Sequence, residues 1–376
     1  MVYPASARCR GTPRPLVRFA SPRVRLAVRT VVTIALSALS GLGVADSASA
    51  QRAAPTLDAY LRSIGLDASQ RTAAARGRAV ARLLPTKDNR DVTVFGIVGV
   101  DVSRDTVVAR AASGERYFGG GDSRAHLFGD PPSPADVRDL AFDESEYRGL
   151  RNCRSGDCDF KLTTSAMQAF AGQVDWSSRS AKTQADERLR ADVLALVTDY
   201  ARRGNPAMPV YEDGRGVRSE DSFMALVAQT SDLYRYAPEL HRYLSTYPAE
   251  RPDGAQDFLY WAEDRLPHLR PTLTVSHVVA YTPPGPATDV SFVARKQLYA
   301  THYFEAALEL LAIVDGGGEP GEPRTYLMTV HRFRFDALPG GLFNIRGRVR
   351  RQLVDATRAD LERQRAAMQR DPSVDR

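Results

Sequence analysis

Cysteine is scarce in this chain of 376 residues: there are three, and Cys9 lies in the first fifty. So few exclude a disulfide-stapled scaffold and a four-cysteine zinc site. The remaining pair, Cys153 and Cys158, flanks Arg-Ser-Gly-Asp, whose Ser-Gly-Asp supplies a turn that brings two sulfurs together. The pair reads as one local disulfide, worth on the order of 2 kcal/mol in the chain-entropy model, because a loop this short removes little unfolded-state entropy. The C-x4-C spacing is not the C-x2-C of a redox-active pair.

Long apolar runs are also missing. Val31 to Val44 falls well short of the roughly 20 residues a spanning helix needs, and it contains Ser and Gly. An Arg-rich stretch precedes it (Arg8 to Arg29) and Ala48-Ser49-Ala50 follows it. Basic region, hydrophobic core and A-x-A site in that order predict a cleaved signal peptide over residues 1–50, with the mature chain starting near Gln51. The expected location is periplasmic or extracellular. Cys9 precedes the apolar run, so it is not placed to become a lipid-modified N-terminus.

The mature chain has almost no net charge of either sign. Seven of the 51 basic residues and one of the 45 acidic ones lie in residues 1–50, which leaves 44 of each. A neutral surface offers no general attraction for polyphosphate, so nucleic acid is not an expected partner.

Motifs for catalysis are missing too. Ser165, Ser222 and Ser276 have no G-x-S-x-G setting, and Gly119-Gly120-Gly121 lacks the G-x4-G-K-[ST] pattern. Asp143-Glu144 and Glu212-Asp213 sit in hydrophilic stretches and read as solvated. Neither a metal nor another cofactor is called for.

What is present is a change of period along the chain. Residues 51–90 form an N-terminal segment that reads as helical from Leu57 to Leu84, and Val92 to Val102 is β-branched and apolar on both faces, as in a strand covered on both sides. Ser103 is placed to cap a short helix through Ala112, and Ser133 to Leu244 reads as a mainly helical insert. In it Ala185, Leu189, Val193, Leu196 and Tyr200 form one face of a helix. Met208 to Glu212 suggests a short strand, while Asp257 to Ala262 is ambiguous.

After Pro271 the period becomes two. Leu273 to Tyr281, Phe292 to Leu311 and Thr325 to Phe335 read as strands, the middle run being long enough for two. Beyond Pro339-Gly-Gly341, Leu342, Ile345, Val349, Leu353 and Ala356 stripe a long final helix. The fold class expected is α+β: an antiparallel curved sheet over 91–376 gripping the C-terminal helix, with the helical insert at about 133–244.

This order of elements resembles the helix-grip plan of START-like lipid-binding and polyketide-cyclase-like (SRPBCC) domains. The resemblance is topological, spans about Val92 to Met368 and implies an apolar or amphipathic small molecule held between sheet and helix. Separately, the stretches Cys153 to Leu162, Lys296 to Phe304 and Val275 to His277 are similar to exported bacterial proteins of unassigned function, which implies no chemistry.

Three histidines stand out among the late strands. Reading alternate positions, His277 falls with Val275, Val279 and Tyr281, His302 with Leu298 and Phe304, and His331 with Leu327 and Phe333. All three are expected on the side facing the final helix, and His277, His302, His331, Tyr281, Phe304 and Phe333 are the candidate cavity residues. Inward imidazoles suit a polar spot in an apolar cavity, a metal or acid–base work; the plainer alternative is three buried histidines satisfied on separate strands. A His-based envelope enzyme and a structural, partner-binding protein are the rival readings to a carrier. The final helix carries Arg346, Arg348, Arg350, Arg351, Arg358, Arg363 and Arg365. These suit either a solvated face, balanced by Asp355, Asp360 and Glu362, or contact with a membrane surface.

Overall fold

The computed structural model describes residues 57–114, 124–214, 216–264, 270–285, 289–317, 321, 323–336 and 345–370. The expected leader and its cleavage site lie outside them. The chain divides into Met1–Ala53 and Ala54–Arg376, and every described residue belongs to the second unit.

Two short helices come first, α1 (Leu57–Ser63) and α2 (Ala68–Ala75), the latter opened by a capping box between Asp67 and Gln70. The expected helix through Leu84 stops early. Gly77 turns the chain at φ +74°, and Val80–Leu84 becomes strand β1, antiparallel to β2 (Asp91–Val100). Pairing with β2 overrides the helical periodicity there. Ser103 caps α3 (Arg104–Ala112), its hydroxyl accepting from the Thr106 N–H.

The edge strand β3 (Ala125–Leu127) follows, and the insert then runs through α4 (Glu144–Leu150), α5 (Thr164–Gln173) and the long α6 (Ala181–Arg203). A 3-10 turn (Asn205–Ala207) leads to the small hairpin β4 (Val210–Tyr211) and β5 (Val217–Arg218), then to α7 (Ser219–Val227), α8 (Ser231–Tyr236) and α9 (Pro238–Thr246). Asp143 caps α4 rather than simply being solvated. Cys153 and Cys158 are bonded, with sulfurs 2.05 Å apart.

The ambiguous 257–262 stretch is part of β6 (Gln256–Asp264), followed by β7 (Thr272–Tyr281), β8 (Val290–Ala300), β9 (Phe304–Asp315), β10 (Thr325–Phe335) and α10 (Ile345–Arg370). The long middle run is indeed two strands, β8 and β9. Eight strands form one antiparallel sheet in the order β1-β2-β10-β9-β8-β7-β6-β3, so the early β2 pairs with the last strand. The fold is thus α+β, a curved, unclosed antiparallel sheet with a C-terminal helix and a mainly helical insert.

Both faces of this sheet are covered, which is why β2 and β7 are buried along their whole length. On one face, Val275, Val279, Phe292, Ala294 and Leu308 pack with Leu189, Val193, Tyr200 and Phe223 of the insert. Phe95, Ile97 and Met328 meet Leu61 and Leu66 of the N-terminal segment. On the other, Val98, Val278, Val293 and Leu327 pack with Val107 and Ala111 of α3 and Leu361 of α10. Helix α10 lies over β1 and β2, and α3 over β7 to β9.

Among the described residues, no helix is long and apolar enough to cross a membrane. Of the arginines on α10, Arg358 and Arg363 pair with Asp355 and Asp360 at 3.1 Å each, while Arg348 and Arg351 are exposed.

Candidate functional site

Strand register decides which polar side chains can meet. His277 is opposite Lys296 and next to Leu259, on the insert side of the sheet. His331 is opposite Glu309 and Val94, on the side of α3 and α10. His302 lies in the tight β8–β9 turn beside Tyr303, whose φ is +66°. The expectation of three imidazoles on the helix side is therefore corrected: only His331 faces that way. The register shows why: His277 is level with Lys296, Leu308 and Arg332, one residue off His331, while His302 lies outside the strands, so alternation within each strand could not put the three on one face.

Tyr281 shares the insert face with His277, whereas Phe304 and Phe333 share the helix face with His331. The ring of Phe333 stands 6.0 Å from that of His331 and 5.5 Å from that of Phe304. Nδ1 of His302 is 2.9 Å from the Asp159 carbonyl, and its ring packs 4.9 Å from that of Phe160, so it fastens the insert to the turn. Among the described residues, no group of three or more His, Cys, Asp or Glu is arranged to hold a metal ion.

Two polar constellations emerge. The first crosses the insert face. Lys296 is fully buried, its Nζ donating to Asn205 Oδ1 and to the Tyr200 hydroxyl at 3.3 Å. Tyr200 OH is 3.0 Å from His277 Nδ1, and His277 Nε2 is 3.4 Å from an Asp257 oxygen that also accepts from Tyr243. Arg251 closes the outer end, 3.1 Å from Asp257. Since Lys296 donates to Tyr200, the phenol hydrogen points at Nδ1, which leaves Nε2–H to donate to Asp257.

Electrostatics agree with that tautomer. Burial pushes the His277 pKa down despite the neighbouring Asp257, and pushes Lys296 well below a lysine's ordinary value. Burial also holds Tyr200 well above its ordinary range, so it stays a phenol, and lifts Tyr247 to about 12. Burial opposes ionisation of Asp257, but hydrogen bonds from His277 and Tyr243 outweigh it and lower its pKa.

One expected result follows. A base whose folded pKa is depressed favours the fold while neutral, so the His277 contribution is complete above about pH 6.5 and is lost as pH falls through the folded value. The fall in melting temperature between about pH 7.5 and pH 5 should be smaller in His277→Gln than in wild type. Equal falls would mean that His277 does not titrate with unfolding.

The second constellation crosses the helix face in two neighbouring rows. Arg295, Glu309 and His331 lie side by side on β8, β9 and β10. Arg295 Nε donates to Glu309 Oε2 at 3.0 Å, and His331 Nδ1 is 3.7 Å from the same oxygen. The adjacent row is Tyr260, Ser276 and Gln297. Tyr260 OH accepts from Arg295 at 3.4 Å, while the buried Ser276 hydroxyl has no hydrogen-bond partner.

Sequence reasoning missed Lys296, Asn205, Tyr200 and Asp257 in the first set, and Arg295 and Glu309 in the second. The signal was there: Arg295, Lys296, Glu305 and Glu309 put charges into a run that is largely apolar on both faces. A charge inside a strand covered on both sides must be paired or functional. The chain matches no protein family, no curated protein and no solved structure.

Proposed function

We propose that the protein is a non-enzymatic carrier acting outside the cytoplasm. It seats an amphipathic small molecule on the helix face of the sheet, polar end at Arg295, Glu309 and His331, apolar body along Phe333 and Phe304. The observation that carries the reading is a matter of exposure. Arg295 and His331 sit mid-sheet on β8 and β10, yet their side chains keep 21% and 11% of their surface in contact with solvent. A sealed interior would not leave such polar groups partly wet.

The seat proposed here is narrower than the one the helix-grip resemblance implies. At Gly96 a Cβ would fall 2.7 Å from Leu361 Cδ1 and 2.8 Å from Thr357 Cγ2, so α10 sits directly on β2 with no space beneath it. The proposed seat is therefore placed away from β2, toward β8 to β10. The unpartnered Ser276 hydroxyl on the same face gives a ligand oxygen or nitrogen a further reason to bind there. Secretion is supported by the leader pattern and by the Cys153–Cys158 bond.

The test uses an anionic amphipathic dye such as anilinonaphthalene sulfonate, with native mass spectrometry of the purified protein in parallel. Saturable binding is expected, weakened roughly tenfold by Phe333→Ala, since an apolar contact of this size is worth about 1–2 kcal/mol. Tyr281→Phe, on the opposite face, should bind like wild type. No saturable binding, or equal loss in both variants, would refute the carrier reading.

A further inference from the structure

We propose that Lys296 and Asn205 become joined by a side-chain amide, a bond that fastens the helical insert to the sheet. The Nζ–Cγ bond forms, the Cγ–Nδ2 bond breaks, and ammonia leaves. No oxidant or cofactor is required, because one amine hydrogen is all that the departing NH2 needs to become NH3.

The two groups are presented to each other. Asn205 is 3% exposed and opens the turn that follows α6. Its Nδ2 donates to the carbonyls of Leu244 at 3.1 Å and Ser245 at 2.8 Å, which fixes the amide with its oxygen turned to Lys296 Nζ. Lys296 projects from the middle of β8 and is held from the other side by Tyr200. Their walls are aromatic: Nζ is 4.3 Å from the ring centre of Phe223 and 4.9 Å from that of Tyr200.

Buried lysines are normally paired with a carboxylate, because an ammonium removed from water without one is costly. Among the described residues no carboxylate lies within ion-pair distance of Lys296. Its nearest oxygens belong to an amide and a phenol. Burial instead favours the free amine, which is the nucleophilic form, and shuts out water that would compete for Cγ. Once acylated, the nitrogen carries no charge and a single hydrogen.

The chain behind Lys296 handles the proton. Tyr200 OH, at 3.3 Å from Nζ, accepts a hydrogen as the amine adds to Cγ and passes its own to His277 Nδ1 at 3.0 Å. Asp257 stabilises the imidazolium through Nε2. That proton then returns to the departing nitrogen, so Tyr200 and His277 finish as they began. Tyr200 is the catalytic residue here, and His277 a positioning residue behind it.

The experiment is mass spectrometry of the full purified chain, reduced so that the Cys153–Cys158 bond does not contribute. The intact mass should fall short of the sequence by one NH3, and a digest should yield one branched peptide containing Lys296 and Asn205. The branched peptide is the decisive reading, since cyclisation of an N-terminal Gln51 loses the same ammonia. Asn205→Ala should return the mass to its sequence value, and in Tyr200→Phe linkage after refolding should slow by about a hundredfold or more. A wild-type digest in which the Lys296 and Asn205 peptides appear separately at full yield overturns the proposal, whether or not the variants fold. This outcome leaves the carrier reading untouched, because the two sites lie on opposite faces of the sheet.

Discussion

Gly204→Ala should be among the most damaging single substitutions in the protein, lowering stability by roughly 2–6 kcal/mol when backbone strain and overpacking are added. Gly204 ends α6 with φ +71° and ψ −143°, a conformation that L side chains rarely adopt. A Cβ there would also lie 1.6 Å from the Tyr247 carbonyl oxygen, 2.5 Å from its carbon and 2.8 Å from Pro248 Cδ. Those atoms are backbone and proline ring, which cannot swing aside as a side-chain tip does. Either α6 or the segment after α9 must move, and both carry parts of the buried network. Asn205 is the next residue, and the ring of Tyr247 stacks 4.6 Å from that of Tyr200. Gly254→Ala is the control: its φ is +77°, but nothing lies within 4 Å of the added carbon, so about 1 kcal/mol of strain is all that is expected. Urea unfolding midpoints compare the two, and similar values would show that the α6 terminus can yield.

The contrast between these glycines marks what a sequence can and cannot disclose. The two-period pattern after Pro271 and the apolar stripe of α10 were legible because each reflects a face that must be buried. Elements were therefore read more securely than their partners. Val80–Leu84 looked helical because its partner, β2, is a tertiary fact with no local trace. The histidines were misjudged for a related reason. Alternation tells which neighbours share a face, but not which face the helix covers, and the register that sets His277 level with Arg332 rather than His331 joins four strands. The pairs that matter most join distant segments: Tyr200 with His277, Lys296 with Asn205, Asp257 with Tyr243. Only the oddity of a charge inside a run such as Phe-Val-Ala-Arg-Lys-Gln-Leu pointed toward them.

The same oddity locates the other large effect, at Arg334 near the end of β10. Its guanidinium is 2.9 Å from Asp91, 2.7 Å from Asp88 and 3.3 Å from Glu305. Asp91 and Glu305 are buried, Asp91 accepting also from Gln229 at 3.0 Å and Glu305 from Ser222 at 3.1 Å. The other cation in the cluster is Arg90, 2.9 Å from Glu305 and 3.3 Å from Asp88. Three acids thus share two guanidiniums where β2, β9, β10 and the insert meet. Arg334→Met removes one of those cations and leaves the buried Asp91 with Gln229 alone while Glu305 keeps Arg90, an imbalance worth about 3–5 kcal/mol when a buried pair loses a partner. Arg334→Lys keeps the charge but not the planar fork that reaches three carboxylates, so it should recover only part of that loss. Chemical denaturation of both variants measures this. If Arg334→Met is as stable as wild type, the cluster is held by its hydrogen bonds to Ser222 and Gln229 rather than by charge balance. If Lys and Met are equally harmful, fork geometry and not charge is what Arg334 supplies.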